Sequence, residues 1–398
     1  MMRQITGLLI LVLRFIERII QYAIGADDKK LYSLDHAILN VEVPPRSMWM
    51  NMGYWKGTSS FTKACEALLE QVLITAKLLN EDGTPIKERL PQQGAIKLID
   101  VGIGCGDQSL YLTRRLARVG ADSVSSNGVR TTVDNGGGAL TSEMRKRRGV
   151  SSHEIHPLFD SYVGVTIIQS QAEFAQDRLL KDSTGDSMVS SKWTPDAKIF
   201  AADAGDPSSW GIELRQAALG NPDHYTGQSE DAIVGKESEE HVHPLAETTM
   251  KTQKWLLALD TMYHYKPSRD PLLKFARRDM QASIMAFDLL ISDSASFWHK
   301  LVLRSMCLVS GIPYSNFLTR EQYEDMLVQA GYERCMIEMR DISEHVFTGI
   351  ASYIRKQDME LRRYGMTVGK FKGAAKAFNW WARTGLVRGF VVVARVPE

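Results

Sequence analysis

Apolar residues along this chain follow two periods. From Ser60 to Leu79 they recur at helical spacing, with Phe61, Ala64, Leu68, Leu69, Val72 and Leu73 on one face. The run Ile96–Val101 reads instead as a strand of the buried type, and Tyr162–Ile167, Lys198–Ala202, Trp255–Leu259 and Ser283–Asp293 read as four further strands. Helical patterns at Ser109–Val119, Gln169–Leu180 and Asp270–Met280 fall between them. A helix from Thr319 ends at a Gly331 cap, a sixth strand follows, and Gly389–Val396 supplies the last. Seven strands mostly alternating with helices predict an α/β doubly wound sheet with no second domain.

Two polar stretches break this rhythm. The first, near 120–158, is rich in Ser, Gly and Arg and includes DNGGG and RKRRG; the second, near 211–252, contains GQSEDAIVGKESEEHVHP. Both read as insertions in a domain spanning 95–398, with an irregular and partly helical lead-in over 28–94. The RKRR run fits a solvated loop better than a nucleic-acid patch. His241 and His243 have no third ligand nearby, and His153 and His156 are spaced one short of a zinc-protease pair, so no metal site is expected. At the other end, Leu8, Leu9, Val12, Phe15, Ile16, Ile19, Ile20 and Ala23 lie opposite Arg14, Glu17, Arg18 and Gln21. The apolar run Gly7–Leu13 is short of the roughly 20 residues that cross a bilayer. Residues 1–27 therefore read as an amphipathic helix. Its residues 5–24 either lie in a membrane interface or pack on the protein's own core as a lid.

Composition narrows the classes without choosing among them. A net charge of +1 over 398 residues gives no reason to expect a nucleic-acid partner. Cys65, Cys105, Cys307 and Cys335 form no CxxC pair, which suits reduced thiols and a cytoplasmic setting, with peripheral membrane contact left open by the N-terminal pattern.

Chemistry enters at LIDVGIGCGDQSLYL, residues 98–112. A glycine-rich turn between a strand and a helix lets a ligand approach the backbone with no Cβ in the way. A dinucleotide fingerprint needs glycine where Asp107 stands, and no GK[ST] follows for a P-loop. What fits is acid-x-Gly-x-Gly-x-Gly: Asp100, Gly102, Gly104 and Gly106. This run resembles the first motif of class I S-adenosylmethionine (SAM)-dependent methyltransferases, and the resemblance extends over about 50–398 outside the two insertions. It implies a Rossmann-like seven-stranded fold and SAM as cofactor. In YVGVTIIQSQAEFAQDRL the acid that many members place on the ribose is replaced by Thr166. The string is similar to the branch holding cyclopropane-fatty-acid synthases and tocopherol methyltransferases, where Thr166 and Gln171 would take over that contact. By the same resemblance Asp203 and Ala204 would hold the adenine, Asp260 would touch cofactor or substrate, and Tyr54 and Trp55 of NMGYWKG would lie against the sulfonium.

Methyl transfer from a sulfonium is an in-line displacement, so the protein supplies alignment and a route for a proton. His264 after the fourth strand and His345 after the sixth are the candidate bases, a place in the packed interior being the commoner fate of either, and Tyr263 is the third catalytic candidate, by cation–π contact with the sulfonium or as a wall of the pocket. The apolar and aromatic stretch 294–318 points to a hydrophobic small-molecule acceptor, such as a lipid, sterol, terpenoid, quinone or aromatic metabolite. No (D/N)PPY-type tetrad appears, which argues against base methylation. A methyltransferase acting on a macromolecule and a non-catalytic SAM-binding protein remain the alternatives.

Overall fold

The computed structural model describes residues 47–86, 94–119, 155–181, 196–220, 252–362 and 366–397. The amphipathic pattern of 1–27 and His153, His241 and His243 lie outside them. Seven strands form one sheet: β1 (Ile96–Val101), β4 (Ser161–Thr166), β5 (Asp196–Ala201), β6 (Gln253–Leu259), β7 (Ser283–Ile291), β8 (Ile337–Asp341) and β9 (Val387–Ala394). Their order is β5-β4-β1-β6-β7-β9-β8, with β9 antiparallel to both neighbours. A separate two-stranded ribbon pairs β2 (Ala117–Val119) with β3 (Ile155–Pro157). The helices are α1 (Phe61–Thr75), α2 (Asp107–Leu110), α3 (Gln169–Lys181), α4 (Ile212–Leu219), α5 (Asp270–Arg278), α6 (Phe297–Ser310), α7 (Arg320–Ala330), α8 (Phe347–Arg362) and α9 (Phe371–Thr384).

The five inner strands are buried on both faces, while the edge strands β5 and β8 are partly exposed. Successive residues of one strand join different cores: Leu98 and Leu257 pack with α1, α8 and α9, while Ile99 and Leu256 pack with α4, α5 and α7. This is why β1 and β7 read as mainly apolar runs, interrupted only by Lys97 and Asp100 in the one and Asp288 in the other, and not as an alternation. Strand order reverses on either side of β1, which pairs with β4 and with β6. A crevice opens at such a switch point beyond the carboxyl ends of the strands.

Local signals set most boundaries. The Ser60 hydroxyl accepts from Lys63 N–H at α1, and Thr319 and Gln322 form a capping box at α7, which ends on Gly331. Two expectations need correction. The helix expected over Ser109–Val119 is helical only to Arg115, the last turn being a π-helix over Tyr111–Arg115, and β2 follows. Ala117–Val119 finds a strand partner in Ile155–Pro157, across a stretch that no local pattern bridges. The insertion expected from 211 opens instead with α4, because Leu214 and Ala218, one turn apart, are buried in the core.

One polar cluster crosses this apolar interior. Arg269 and Asp288 form an ion pair with both side chains 0% exposed. Leu289 N–H and the Tyr323 hydroxyl also donate to Asp288, at 2.8 and 3.0 Å, and Arg269 lies over the Tyr323 ring. Arg269 donates to the Asn316 carbonyl as well, and Asn316 Nδ2 donates to the carbonyls of Tyr263 and Tyr265 at 3.1 and 2.8 Å. The loop after β6 is thus fastened from beneath.

Candidate functional site

A cavity of about 1190 Å³, counting the open solvent at its mouth, lies over the carboxyl ends of β1, β4, β5 and β6. Each strand delivers a lining residue within two positions of its carboxyl end, where the backbone turns and side chains leave the core.

After β1 come Gly102, Ile103 and Gly104, all lining the cavity. Gly102 has φ +81°, and a Cβ there would stand 2.6 Å from Thr261 Oγ1, so only glycine lets the turn nest against the loop after β6. Gly106 stays outside the cavity and serves packing: its φ is +85°, and an added Cβ would stand 2.7 Å from Ala175 Cβ of α3. Asp100 is also outside the wall, fully buried behind the turn. It accepts from Tyr162 hydroxyl at 2.7 Å and from Gln108 Nε2 at 2.6 Å, and burial raises its carboxyl to about 7. Its role in this geometry is to orient Gln108, which does line the cavity.

At the end of β4, Thr166 Oγ1 donates to Gln171 Oε1 at 3.0 Å, and both residues line the cavity. After β5, Asp203 and Ala204 line it too; Asp203 accepts from Gly205 N–H at 2.7 Å, which fixes the turn.

After β6 stands Asp260 at φ +59°, a conformation uncommon for a residue with a side chain. One carboxylate oxygen accepts from Met52 N–H at 2.8 Å, and Tyr263 donates to the same carboxylate. The other oxygen, Oδ1, is buried with no hydrogen-bond partner among the described residues. Burial pushes the Asp260 carboxyl up to about 8, outweighing these hydrogen bonds. His264 lines the same wall, but burial drives it down to about 3, so its imidazole is neutral and a weak proton acceptor. Tyr263 is buried beneath the site, its ring 4.1 Å from that of His264, and does not line the cavity.

The lead-in segment closes the cavity with other residues than expected. Met48, Trp49, Met50 and Asn51 form the wall, held by Met48 N–H to Asp107 Oδ2 at 3.1 Å as well as by the Met52–Asp260 bond. Asp107 is itself paired with Arg178. Tyr54 and Trp55, expected at the sulfonium, are not among the lining residues. Tyr54 packs edge-on against His345 at 5.0 Å, and Trp55 stacks among Phe61 and Tyr353 and covers Gly349. His345 is therefore a packing partner of the lead-in, and it too is absent from the wall. Sequence reasoning missed Gln108, Thr261, Tyr265, Lys266 and the 48–51 stretch. The MWMNM run had an apolar signal for burial, but nothing local showed what it would cover.

No family profile matches this sequence, and no curated protein matches it. Solved structures do resemble it in fold. A mycolic acid cyclopropane synthase, CmaA1, in complex with S-adenosylhomocysteine (SAH) and CTAB, superposes with a TM-score of 0.51 at 10% identity, covering 92% of this chain and 95% of that one. The cyclopropane synthase MmaA2 from Mycobacterium tuberculosis gives 0.46 at 13% identity over 92% and 95%. The [4+2]-cyclase SpnF gives 0.47 at 13% over 93% and 95%. The chain has the Rossmann-like seven-stranded fold of the class I methyltransferases.

Proposed function

We propose that this protein is a SAM-dependent methyltransferase that moves a methyl group to a hydrophobic small molecule. The observation that carries the reading is the convergence on one cavity of the glycine turn after β1, the Thr166–Gln171 pair, Asp203–Ala204 and Asp260. These groups leave four adjacent parallel strands at the switch point, where the fold places a nucleotide-like ligand. In this reading Gly102 and Gly104 admit the amino acid portion of SAM, Thr166 and Gln171 hold the ribose, and Asp203 with Ala204 N–H holds the adenine. Met48, Trp49, Met50, Ile103 and Leu259 supply apolar wall, which suits an acceptor with little charge.

When bound, SAM supplies the electrophilic methyl group. The chain's own residues align the acceptor, exclude water and receive its proton. Asp260 suits that last task better than His264: it lines the cavity, its buried Oδ1 has no hydrogen-bond partner among the described residues, and its proton affinity lies near neutral pH. The His264 imidazole then packs as a neutral wall.

The test is calorimetric titration of the full chain with SAM and with SAH, repeated on Thr166→Val and Gly104→Val. Micromolar binding is expected for the wild type. Thr166→Val should weaken it about tenfold, the effect of one lost hydrogen bond to a ligand, and Gly104→Val should abolish it by filling the turn. A folded wild type that binds neither ligand refutes the reading. Confirmed binding leads to labelled-methyl transfer onto panels of hydrophobic acceptors.

A further inference from the structure

Most of the fold hides its large apolar side chains, and α6 does not. Among the described residues fourteen such side chains are exposed, and six of them sit on this one helix: Phe297, Trp298, Leu301, Val302, Leu308 and Val309. Phe297, Trp298 and Leu308 are 70%, 71% and 76% exposed, which excludes a part in the core. With about 100° between successive residues, the six fall on one face about 140° wide, shared with Ser305 and edged by Arg304. Leu303 and Cys307, the two buried residues, lie opposite and attach the helix to the body. A contiguous stripe of this kind marks an interaction surface.

The flank of the stripe is basic. Lys300 and Arg304 follow one side of it, and α6 contains no Asp or Glu. The His299 ring stands 5.9 Å from the Trp380 ring, so α9 runs close by. α9 also lacks acidic residues, and its Lys376 and Arg383 are exposed. Aromatic and aliphatic side chains in one face, cations beside it and no carboxylate complement an anionic bilayer, in which the apolar face enters the acyl boundary and the cations meet headgroups. The helix runs out into Ser310 and Gly311, and both line the cavity. A bilayer seated on α6 therefore meets the rim of the cavity.

We propose that the exposed face of α6 docks this protein on an anionic lipid bilayer and that an acceptor dissolved in that bilayer reaches the cavity past Ser310 and Gly311. The delivery step rests on the methyl-transfer reading of the cavity; the docking does not.

The experiment places an environment-sensitive fluorophore on Leu301→Cys in full-length protein carrying Cys335→Ser, since Cys65, Cys105 and Cys307 are buried. Glu213→Cys, exposed on α4 on the far side of the sheet, is the control site. Vesicles of phosphatidylcholine with added phosphatidylglycerol should shift the emission of the probe at 301 to the blue and leave the probe at 213 unchanged; phosphatidylcholine alone should do less. Trp298→Ser with Leu301→Ser and Leu308→Ser should lower vesicle flotation roughly 100-fold while calorimetric SAM affinity stays at the wild-type value. A probe at 301 that does not respond to anionic vesicles overturns the proposal, even where flotation persists. So does a probe already in apolar surroundings without lipid: concentration dependence then identifies a second copy as the cover, and its absence a segment of the same chain. Docking with no SAM binding refutes the cavity reading alone and leaves the α6 surface standing.

Discussion

Asp260→Asn separates the charge of this residue from its shape. The carboxyl moves from an ordinary 3.8 to about 8 in the folded protein because burial removes its hydration. Between those values the folded state holds a proton that the unfolded state has released, so stability falls as pH rises. The contribution is fully present below about pH 4 and is lost as pH passes through 8. The displacement of about 4 units corresponds to about 5 kcal/mol over the whole interval, of which about 2 kcal/mol falls between pH 6 and 8. Asparagine keeps an oxygen for Met52 N–H and for Tyr263 but cannot ionise. Urea unfolding at pH 6, 7 and 8 should therefore show the variant gaining about 2 kcal/mol relative to wild type across that range. A difference constant to within about 0.5 kcal/mol would falsify the argument and mean that the folded protein carries Asp260 as a carboxylate. The same variant tests function. A cationic ligand in the cavity favours the ionised form, so SAM binding at pH 7, followed in buffers of different ionisation enthalpy, should release close to one proton from wild type and much less from Asp260→Asn.

Gly106→Ala should cost about 3 kcal/mol in urea unfolding, combining a left-handed backbone with a Cβ 2.7 Å from Ala175 Cβ; a loss under about 1 kcal/mol would show that α3 moves away freely. Arg269→Met leaves the buried Asp288 carboxylate alone and should lower stability by about 4 kcal/mol, with the Asp288→Asn double variant recovering most of it. Equal loss in the single and double variants, read by thermal unfolding, would assign the effect to packing in place of charge.

The structural layers differ in how openly they appear in the sequence. Strands β1, β4, β6 and β7 stand out because burial on both faces demands continuous apolar runs, and α7 carries its capping box and terminal glycine in plain order. The glycine turn is equally legible, since positive φ and close approach to Thr261 leave few other residues possible. Asp288 is half legible: one acid inside the apolar strand SIMAFDLLI must be paired, but nothing local names Arg269 as the partner.

Four strand ends carry Asp100, Thr166, Asp203 and Asp260, and the resemblance to class I methyltransferases makes them candidates for one site. Which of them faces the ligand is a different matter. Asp100 turns inward to Tyr162 and Gln108, while Gln108 takes the cavity wall. Met48 to Asn51 cover the cavity, while Tyr54 and Trp55, a few residues on, pack against His345 and Tyr353. His264 is present at the wall but held neutral by burial, and Asp260 has its proton affinity raised by the same cause. The sequence by itself determined the strands of the sheet and the glycine turn after β1, because short-range periodicity and backbone constraints are written residue by residue. Direction and protonation were decided only by tertiary structure. They depend on which segments, up to 208 positions apart in the case of Met52 and Asp260, come together to bond a carboxylate and remove its water.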